Sequence, residues 1–519
     1  MTAPRFYVTT AIPYVNASPH LGFALEIVQA DVLARHRRQL GDQVRFLTGT
    51  DDNSLKNLQA AEAEGVEVQQ LVDRNAAAFA ALRGPLALSF DDFIRTSSDP
   101  RHRAGVERLW RASAAAGDLY RKRYEGLYCV GCEQFYATDE LDHGRCPDHR
   151  TRPELVAEEN WFFRLSRYQD RLHQLIDSGA LRIEPAARRN EVLAFIGGGL
   201  KDFSVSRSRA RARGWGIGVP GDPDQVVYVW WDALGNYINA LDYGTEGPAF
   251  DRWWVGGDRR VHLIGKGILR FHAVYWPAML ASAGVPPPTH IFVHDYLTAQ
   301  GQKLSKSNGS VVDPVELVGR FGTDAVRWWL LRDVPRVGDA DFTVGRLVAR
   351  ANEDLANGFG NLVNRVVTMV HRYRGGQAPE AGHLPPDASA GPEGTGSRLA
   401  PAGTWRLIEV CRQVPGQVAE ALAEADFRRA TGAVWAIVEE ANRLVEDVRP
   451  WTLAGAGPGT QDGERLDATL AVLLDACRVL AEQLTPFLPD AAARIALQSP
   501  VSSPLPAPEP LFPRIAIPE

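Results

Sequence analysis

The sequence is short of cysteine, carries no excess of positive charge and has no long apolar run. Each shortage removes a class of protein. Five cysteines in 519 residues cannot staple a secreted scaffold, so the core has to come from packing. Asp and Glu number 63 against 57 Lys and Arg, a formal net charge of −6. A protein that held nucleic acid through its overall charge would be basic, so any such contact has to be local. The longest stretch without a formal charge, Phe271–His294, holds three histidines and four prolines and does not read as a membrane span. The N-terminus, Met-Thr-Ala-Pro-Arg-Phe-Tyr-Val, has no basic start followed by an apolar segment, which predicts no secretory leader. The expectation is a cytoplasmic globular chain. Its 45% hydrophobic content excludes disorder, and its length allows about three domains.

From Arg5 to Arg45 the pattern reads strand, turn, helix. Phe6–Ile12 is β-rich, Pro13–Pro19 is a loop, and a helix with apolar Leu21, Ala24, Ile27 and Val28 follows. Val44–Thr48 is a second strand ending in Gly49-Thr50-Asp51-Asp52. Such a series predicts an open, mostly parallel sheet with its ligand at the carboxyl ends of the strands, where Pro13–His20 and Thr50–Asn53 lie. Residues from about 118 to 165 break the pattern as a small inserted module would. Helical periodicity takes over from about Asp341, is interrupted by the Gly- and Pro-rich stretch Gly375–Thr404, and resumes at Trp405. Ser499–Glu519 carries seven prolines and reads as an extended tail that packs back through Leu511, Phe512 and Ile515.

Three groups of residues carry chemistry. Pro19-His20-Leu21-Gly22-Phe23 opens a helix. Free backbone N–H groups and the helix dipole suit an anion there, and Gly22 lets it approach. Gly301-Gln-Lys303-Leu304-Ser305-Lys306-Ser307-Asn308-Gly309 is a cationic loop able to close over a triphosphate. Cys129-x2-Cys132, thirteen residues, then Cys146-x2-His149 gives two knuckles with the spacing of a closed, structural Cys3His zinc site. His143 is a rival fourth ligand with poorer spacing. Cys411 and Cys477 lie on apolar helical stretches and read as small buried hydrophobes.

The His-Leu-Gly helix start followed about 280 residues later by Lys-Leu-Ser-Lys-Ser resembles the two signatures of class I aminoacyl-tRNA synthetases. More narrowly, the chain is similar to the methionyl-tRNA synthetases along nearly its whole length. The matching segments are Ala11–His20, Phe46–Asp51, Tyr228–Leu234, Phe271–Pro277, Lys303–Pro314, Asn361–Arg365, Pro450-Trp451 and Pro510–Pro513. The resemblance implies an α/β Rossmann-like catalytic domain in two halves, 1–117 and 166–339, split by a zinc-knuckle insertion at 118–165. A helical anticodon-binding bundle at 340–498 and a Pro-rich tail at 499–519 complete it. The implied activity is ATP-dependent formation of an aminoacyl adenylate from methionine or a related amino acid, then transfer to tRNA(Met), by a monomer without membrane contact. His20, Lys303 and Lys306 are expected to act on the phosphates, with Gly22 and Ser305 also binding ATP and Mg2+ carried by the nucleotide. The amino-acid pocket maps onto Ala11, Ile12, Tyr14, Trp230, Ala233, Leu234, Tyr237, Ile268 and His272, with Asp51 receiving the α-ammonium group. An apolar slot edged by aromatics suits an unbranched thioether, where sulfur–ring contacts contribute up to about 1.5 kcal/mol. Zinc in the insertion is implied as well. Asn361, Arg365 and Trp451 map onto the residues that read the anticodon, by edge contacts and stacking. Arg207 matches an active-site arginine, but Arg209, Arg211 and Arg213 follow at every second position, as on a solvated edge.

Several positions depart from the family pattern. Phe23 replaces the second histidine of the first signature. Asp52-Asn53-Ser54 stands where an acidic residue and His-Gly are usual, and Gly267 replaces an aspartate. Loss of a positioned donor for transition-state charge costs about 2.7–4 kcal/mol. The departures support an alternative reading, a paralogue that passes its adenylate to a small-molecule nucleophile of the hydroxylamine type without tRNA.

Overall fold

The computed structural model describes residues 3–147, 150–299, 302–303, 312–379, 402–457 and 459–516. Contacts divide them into two compact units. The first gathers Met1–Gly84, Leu88–Tyr296 and Leu304–Asp313; the second gathers Pro85–Ala87, Leu297–Lys303 and Pro314–Glu519.

The first unit is built on six parallel strands, in the spatial order Asp92–Arg95, Gln43–Thr50, Arg5–Thr10, Arg259–Gly265, His290–His294 and Arg182–Glu184. Val8 lies between Phe46 and Val261 in register, and all three are buried. Central strands of a parallel sheet are covered on both faces, which is why they read as apolar runs. Helix Leu21–Gln39 covers one face, with Leu21, Leu25, Val28 and Val32 out of contact with water.

The chain order reverses between Arg5–Thr10 and Arg259–Gly265. From the first strand the chain steps outward to Gln43–Thr50 and Asp92–Arg95, then returns on the opposite side. Connections leave in opposite directions at such a switch point and open a crevice at the carboxyl ends. Ala11–His20 and Lys266–His272 follow the two strands that flank it. Between the halves, an antiparallel sheet orders Gln134–Tyr136, Leu119–Cys129, Glu154–Phe163 and Phe203–Ser204.

The second unit is helical. Its continuous part runs from Pro314, ahead of residue 340, and includes helix Thr323–Arg332. The fully buried Arg327 donates to the carbonyls of Phe487 (2.7 Å), Leu86 (2.9 Å) and Pro486 (3.1 Å). A buried guanidinium is tolerated only with such partners. Helices Asn361–Arg374, Phe427–Val448 and Gln461–Leu484 supply most of the remaining core. The tail returns to this unit: Leu511 is buried, and Asn352 exchanges two hydrogen bonds with the Ile515 backbone at 2.8 and 2.9 Å. Of the Gly- and Pro-rich stretch, residues 380–401 lie outside the described residues. Cys477 is buried and Cys411 half-buried, and burial pushes both thiols up to about 12. Among the described residues no helix is long and apolar enough to cross a membrane.

Candidate active site

His20 is the N-cap of helix Leu21–Gln39, with extended backbone, and its Nδ1 accepts from the Gly22 N–H at 3.1 Å. An imidazole whose Nδ1 accepts carries its proton on Nε2, the tautomer that donates to an anionic oxygen. A Cβ on Gly22 would meet the His20 ring at 2.9 Å, so glycine keeps the cap in place. Phe23, one position on, is core: it packs edge-to-face on Phe79 with ring centroids 5.1 Å apart.

The residues expected to line the amino-acid pocket lie around the switch point. Trp230 stacks on Phe271 at 3.8 Å and meets the Tyr14 ring edge-on at 6.4 Å. Ala233 and Leu234 are buried on the same helix as Trp230, Val229–Asn239, while Ala11, Ile12 and Ile268 are partly covered. His272 donates from Nδ1 to the Ile268 carbonyl (2.9 Å) and accepts at Nε2 from the Tyr237 hydroxyl (2.7 Å). Burial lowers this imidazole to about 4, so it is neutral. The Tyr14 hydroxyl is buried with no partner among the described residues, a polar atom that a ligand group would satisfy.

Asp51 pairs with Tyr14 across a parallel bridge, and its N–H is bound by the Pro13 carbonyl at 2.9 Å. Burial, then the charges of Asp232, Glu133 and Asp52, holds its carboxyl well above the ordinary carboxylate range. A buried carboxylate crowded by other acids favours the arrival of a cation. Asn53 donates to Asp232 at 2.7 Å. Ser54 caps helix Leu55–Glu64 and donates to Glu133 at 2.6 Å. A Cβ on Gly267 would lie 2.0 Å from the Tyr296 hydroxyl. Asn53, Ser54 and Gly267 therefore have identified neighbours in this fold.

The sulfurs of Cys129, Cys132 and Cys146 lie within 4.8 Å of one another. Three thiols at this spacing fit a tetrahedral zinc ion lacking one ligand. His149 lies outside the described residues. His143 does not complete the set: its side chain is 98% exposed, beside Asp142.

In the second unit, Lys303 ends strand Gln302–Lys303, paired with Leu297–Ala299; Ser305 and Lys306 lie outside the described residues. Asn361 starts helix Asn361–Arg374 and is exposed, and Arg365, one turn on, donates to Asn442. Trp451 is 53% exposed, just after Arg449 turns the chain with φ of 51°. Arg209, Arg211 and Arg213 do not form one surface: Arg211 is largely covered and lies over the Tyr128 ring, whereas Arg213 pairs with Glu62 at the exterior.

Several buried polar residues escaped sequence reasoning. Glu26 accepts from the Ala11 N–H (2.7 Å) and from His294 (2.9 Å); the signal was a carboxylate inside an apolar helix face. His102 binds Asp232 from 130 residues away, and nothing local marks that pairing. Glu133 follows Cys132 directly and reads as part of the metal module.

The family model described as tRNA synthetases class I (M) matches residues 6–153 and 149–367. The methionine–tRNA ligase of Brucella suis biovar 1 is 39% identical, covering 99% of this chain and 98% of its own length. That of Mycobacterium leprae is 40% identical over 94% and 88%. The solved structure of Mycobacterium tuberculosis methionyl-tRNA synthetase in complex with methionyl-adenylate superposes with a TM-score of 0.90 at 37% identity, covering 98% of this chain and 100% of that one. Its apo form gives 0.84 at 34%, over 100% and 99%. A parallel sheet with these residues at its switch point is thus that of a class I tRNA synthetase. Within that class, the chain belongs to the methionyl-tRNA synthetase family.

Proposed function

We infer that this chain is a methionine–tRNA ligase, which activates methionine with ATP and transfers it to the terminal ribose of tRNA(Met). The observation that carries the reading is the pairing of Asp51 with Tyr14, edge-on to Trp230, at the switch point of the sheet. That arrangement offers one carboxylate for an ammonium group beside an aromatic slot for a thioether.

In the first step a carboxylate oxygen of methionine attacks the α-phosphorus of ATP; the bond to the bridging oxygen breaks and diphosphate leaves. Charge grows on phosphoryl oxygens, so catalysis is positioning plus cationic stabilisation. His20 donates to a phosphate oxygen from the helix start, Gly22 leaves room for it, and Lys303, Ser305 and Lys306 complete the nucleotide site. Mg2+ bound to the nucleotide would neutralise part of the phosphate charge. Asp51 fixes the ammonium group, and Ala11, Ile12, Tyr14, Trp230, Ala233, Leu234, Tyr237, Ile268 and His272 surround the side chain. In the second step a ribose hydroxyl of tRNA attacks the adenylate carbonyl and AMP leaves. Asn361, Arg365 and Trp451 read the anticodon. Cys129, Cys132, Cys146 and His149 hold a structural zinc ion. The protein works in the cytoplasm as a monomer.

Transfer to a small-molecule nucleophile is disfavoured by the exposed Trp451 and Asn361, which that reaction does not need. Methionine-dependent exchange of diphosphate into ATP, followed by charging of a tRNA(Met) transcript, tests the reading. Exchange without charging would refute the acceptor; absence of exchange across a panel of amino acids would refute the activity.

A further inference from the structure

Glu133 is the most heavily used carboxylate among the described residues near the Asp51 loop, and the reaction assigns it no role. It is fully buried, and its backbone is left-handed, with φ of 55°. A non-glycine residue held there stores strain that its side chain has to offset. One carboxylate oxygen accepts from the Ser54 hydroxyl and the Leu55 N–H, both at 2.6 Å. The other accepts from Arg207 at 2.7 Å and from the Tyr128 hydroxyl at 3.2 Å. The Glu133 carbonyl accepts from the Tyr228 hydroxyl, and the preceding carbonyl, of Cys132, accepts from the Trp230 indole at 3.3 Å.

The dipeptide Cys132-Glu133 thus touches two sides of the same site. Through Ser54 and Leu55 it braces the end of the loop that starts at Asp51. Through Cys132 and Tyr228 it braces Trp230. A buried carboxylate paired with Arg207 and accepting from three further donors is a rigid strut, because each donor has given up its water for this one partner. The Ser54 bond exists because this chain has a hydroxyl-bearing residue at that position.

We propose that Glu133 is a positioning residue for the amino-acid site: it sets the Asp51 loop and the Trp230 indole at the separation that methionine requires. This rests on the reading of Asp51 and Trp230 as walls of the methionine site. It assigns to one residue beside the cysteine cluster a control over amino-acid affinity that does not extend to the nucleotide.

Titration calorimetry of the full chain with methionine, and separately with ATP, tests this in wild type, Glu133→Gln, Ser54→Ala and the double variant, with zinc content measured on each. Glu133→Gln keeps the shape and removes the charge. Its affinity for methionine should fall about tenfold, the scale of one lost charge-assisted hydrogen bond, with ATP affinity and zinc content held within twofold of wild type. In diphosphate exchange the KM for methionine should rise by the same factor while kcat changes less than threefold. Ser54→Ala should show a smaller loss, and the double variant should bind no worse than Glu133→Gln, since both changes cut one contact. Equal loss of methionine and ATP affinity, loss of zinc along with methionine affinity, or unchanged methionine affinity would each overturn the proposal. Should Glu133→Gln fail to fold, wild-type methionine affinity in Ser54→Ala would overturn it as well. Wild-type protein that takes up no methionine would remove the functional reading and this inference together; wild-type uptake matched by Glu133→Gln would remove the inference alone.

Discussion

The hydroxyl oxygen of Tyr296 lies 2.0 Å from where a Cβ on Gly267 would stand, so the two positions share one volume. Tyr296 also carries the Lys266 ammonium over its ring at 4.7 Å. An aspartate at 267, which the family pattern favours, and this placement of Tyr296 are mutually exclusive. The clash is with the far end of a side chain, so the cost sits at the low end of overpacking, about 1 kcal/mol. Gly267→Asp should therefore lower the thermal midpoint, and adding Tyr296→Phe should recover most of the loss. Strictly additive effects in this double-mutant cycle would show that the two residues are independent.

The cysteine cluster makes a second prediction. Cys129 and Cys146 are buried with Tyr136, Cys132 packs beside them, and the three sulfurs lie within 4.8 Å of one another, close enough to share one ion. Purified protein should carry about one zinc ion per chain. Cys129→Ser should release it and lower the thermal midpoint, because the turn between Cys129 and Cys146 loses its cross-link. Elemental analysis decides: wild-type protein free of zinc would show that the cluster is packing only.

Much of this was legible in the sequence, and the part that was not has a physical reason. The strand Arg5–Thr10, the helix opening at His20 and the strand Gln43–Thr50 follow from local periodicity, which is a short-range signal. The neighbour of Arg5–Thr10 at Arg259–Gly265 is about 250 residues away in sequence, and no local pattern states that pairing. The same holds for the departures at Asn53 and Ser54. Read singly they look like lost groups, because their partners Asp232 and Glu133 are 179 and 79 residues distant. Phe23 likewise reads as a missing donor until Phe79 is placed against it.

Acid should weaken the first unit through His272. Its imidazole is lowered from 6.5 to about 4 by burial, so between these values the unfolded chain binds more protons than the folded one. Stability then rises with pH across that window and is lost as pH falls from about 6.5 to about 4. The full shift corresponds to about 3 kcal/mol. Denaturant midpoints at pH 6.5, 5.5 and 4.5 should fall steadily in wild type. In His272→Asn the fall should be shallower, although the variant starts lower for want of the Tyr237 hydrogen bond. Parallel pH profiles would mean that His272 does not titrate on unfolding.

Substitution of Trp451 should separate the two halves of the proposed reaction. An indole 53% exposed at the start of a short helix, Pro450–Leu453, is poorly explained by packing, since burial of such a ring is worth more than its exposure. In the proposed reading it is a stacking platform for an unpaired base, worth about 1–3 kcal/mol per base. Trp451→Ala should lower kcat/KM for tRNA(Met) by about fivefold to over a hundredfold, the range that this energy spans. Methionine-dependent diphosphate exchange, which needs no tRNA, should stay at the wild-type rate. Arg365→Ala should act in the same direction, because in the proposed reading its guanidinium, one turn from the exposed Asn361, supplies donors to a base edge. An equal fall in exchange and charging for Trp451→Ala would place the ring in the folding of the chain rather than in the reading of the anticodon.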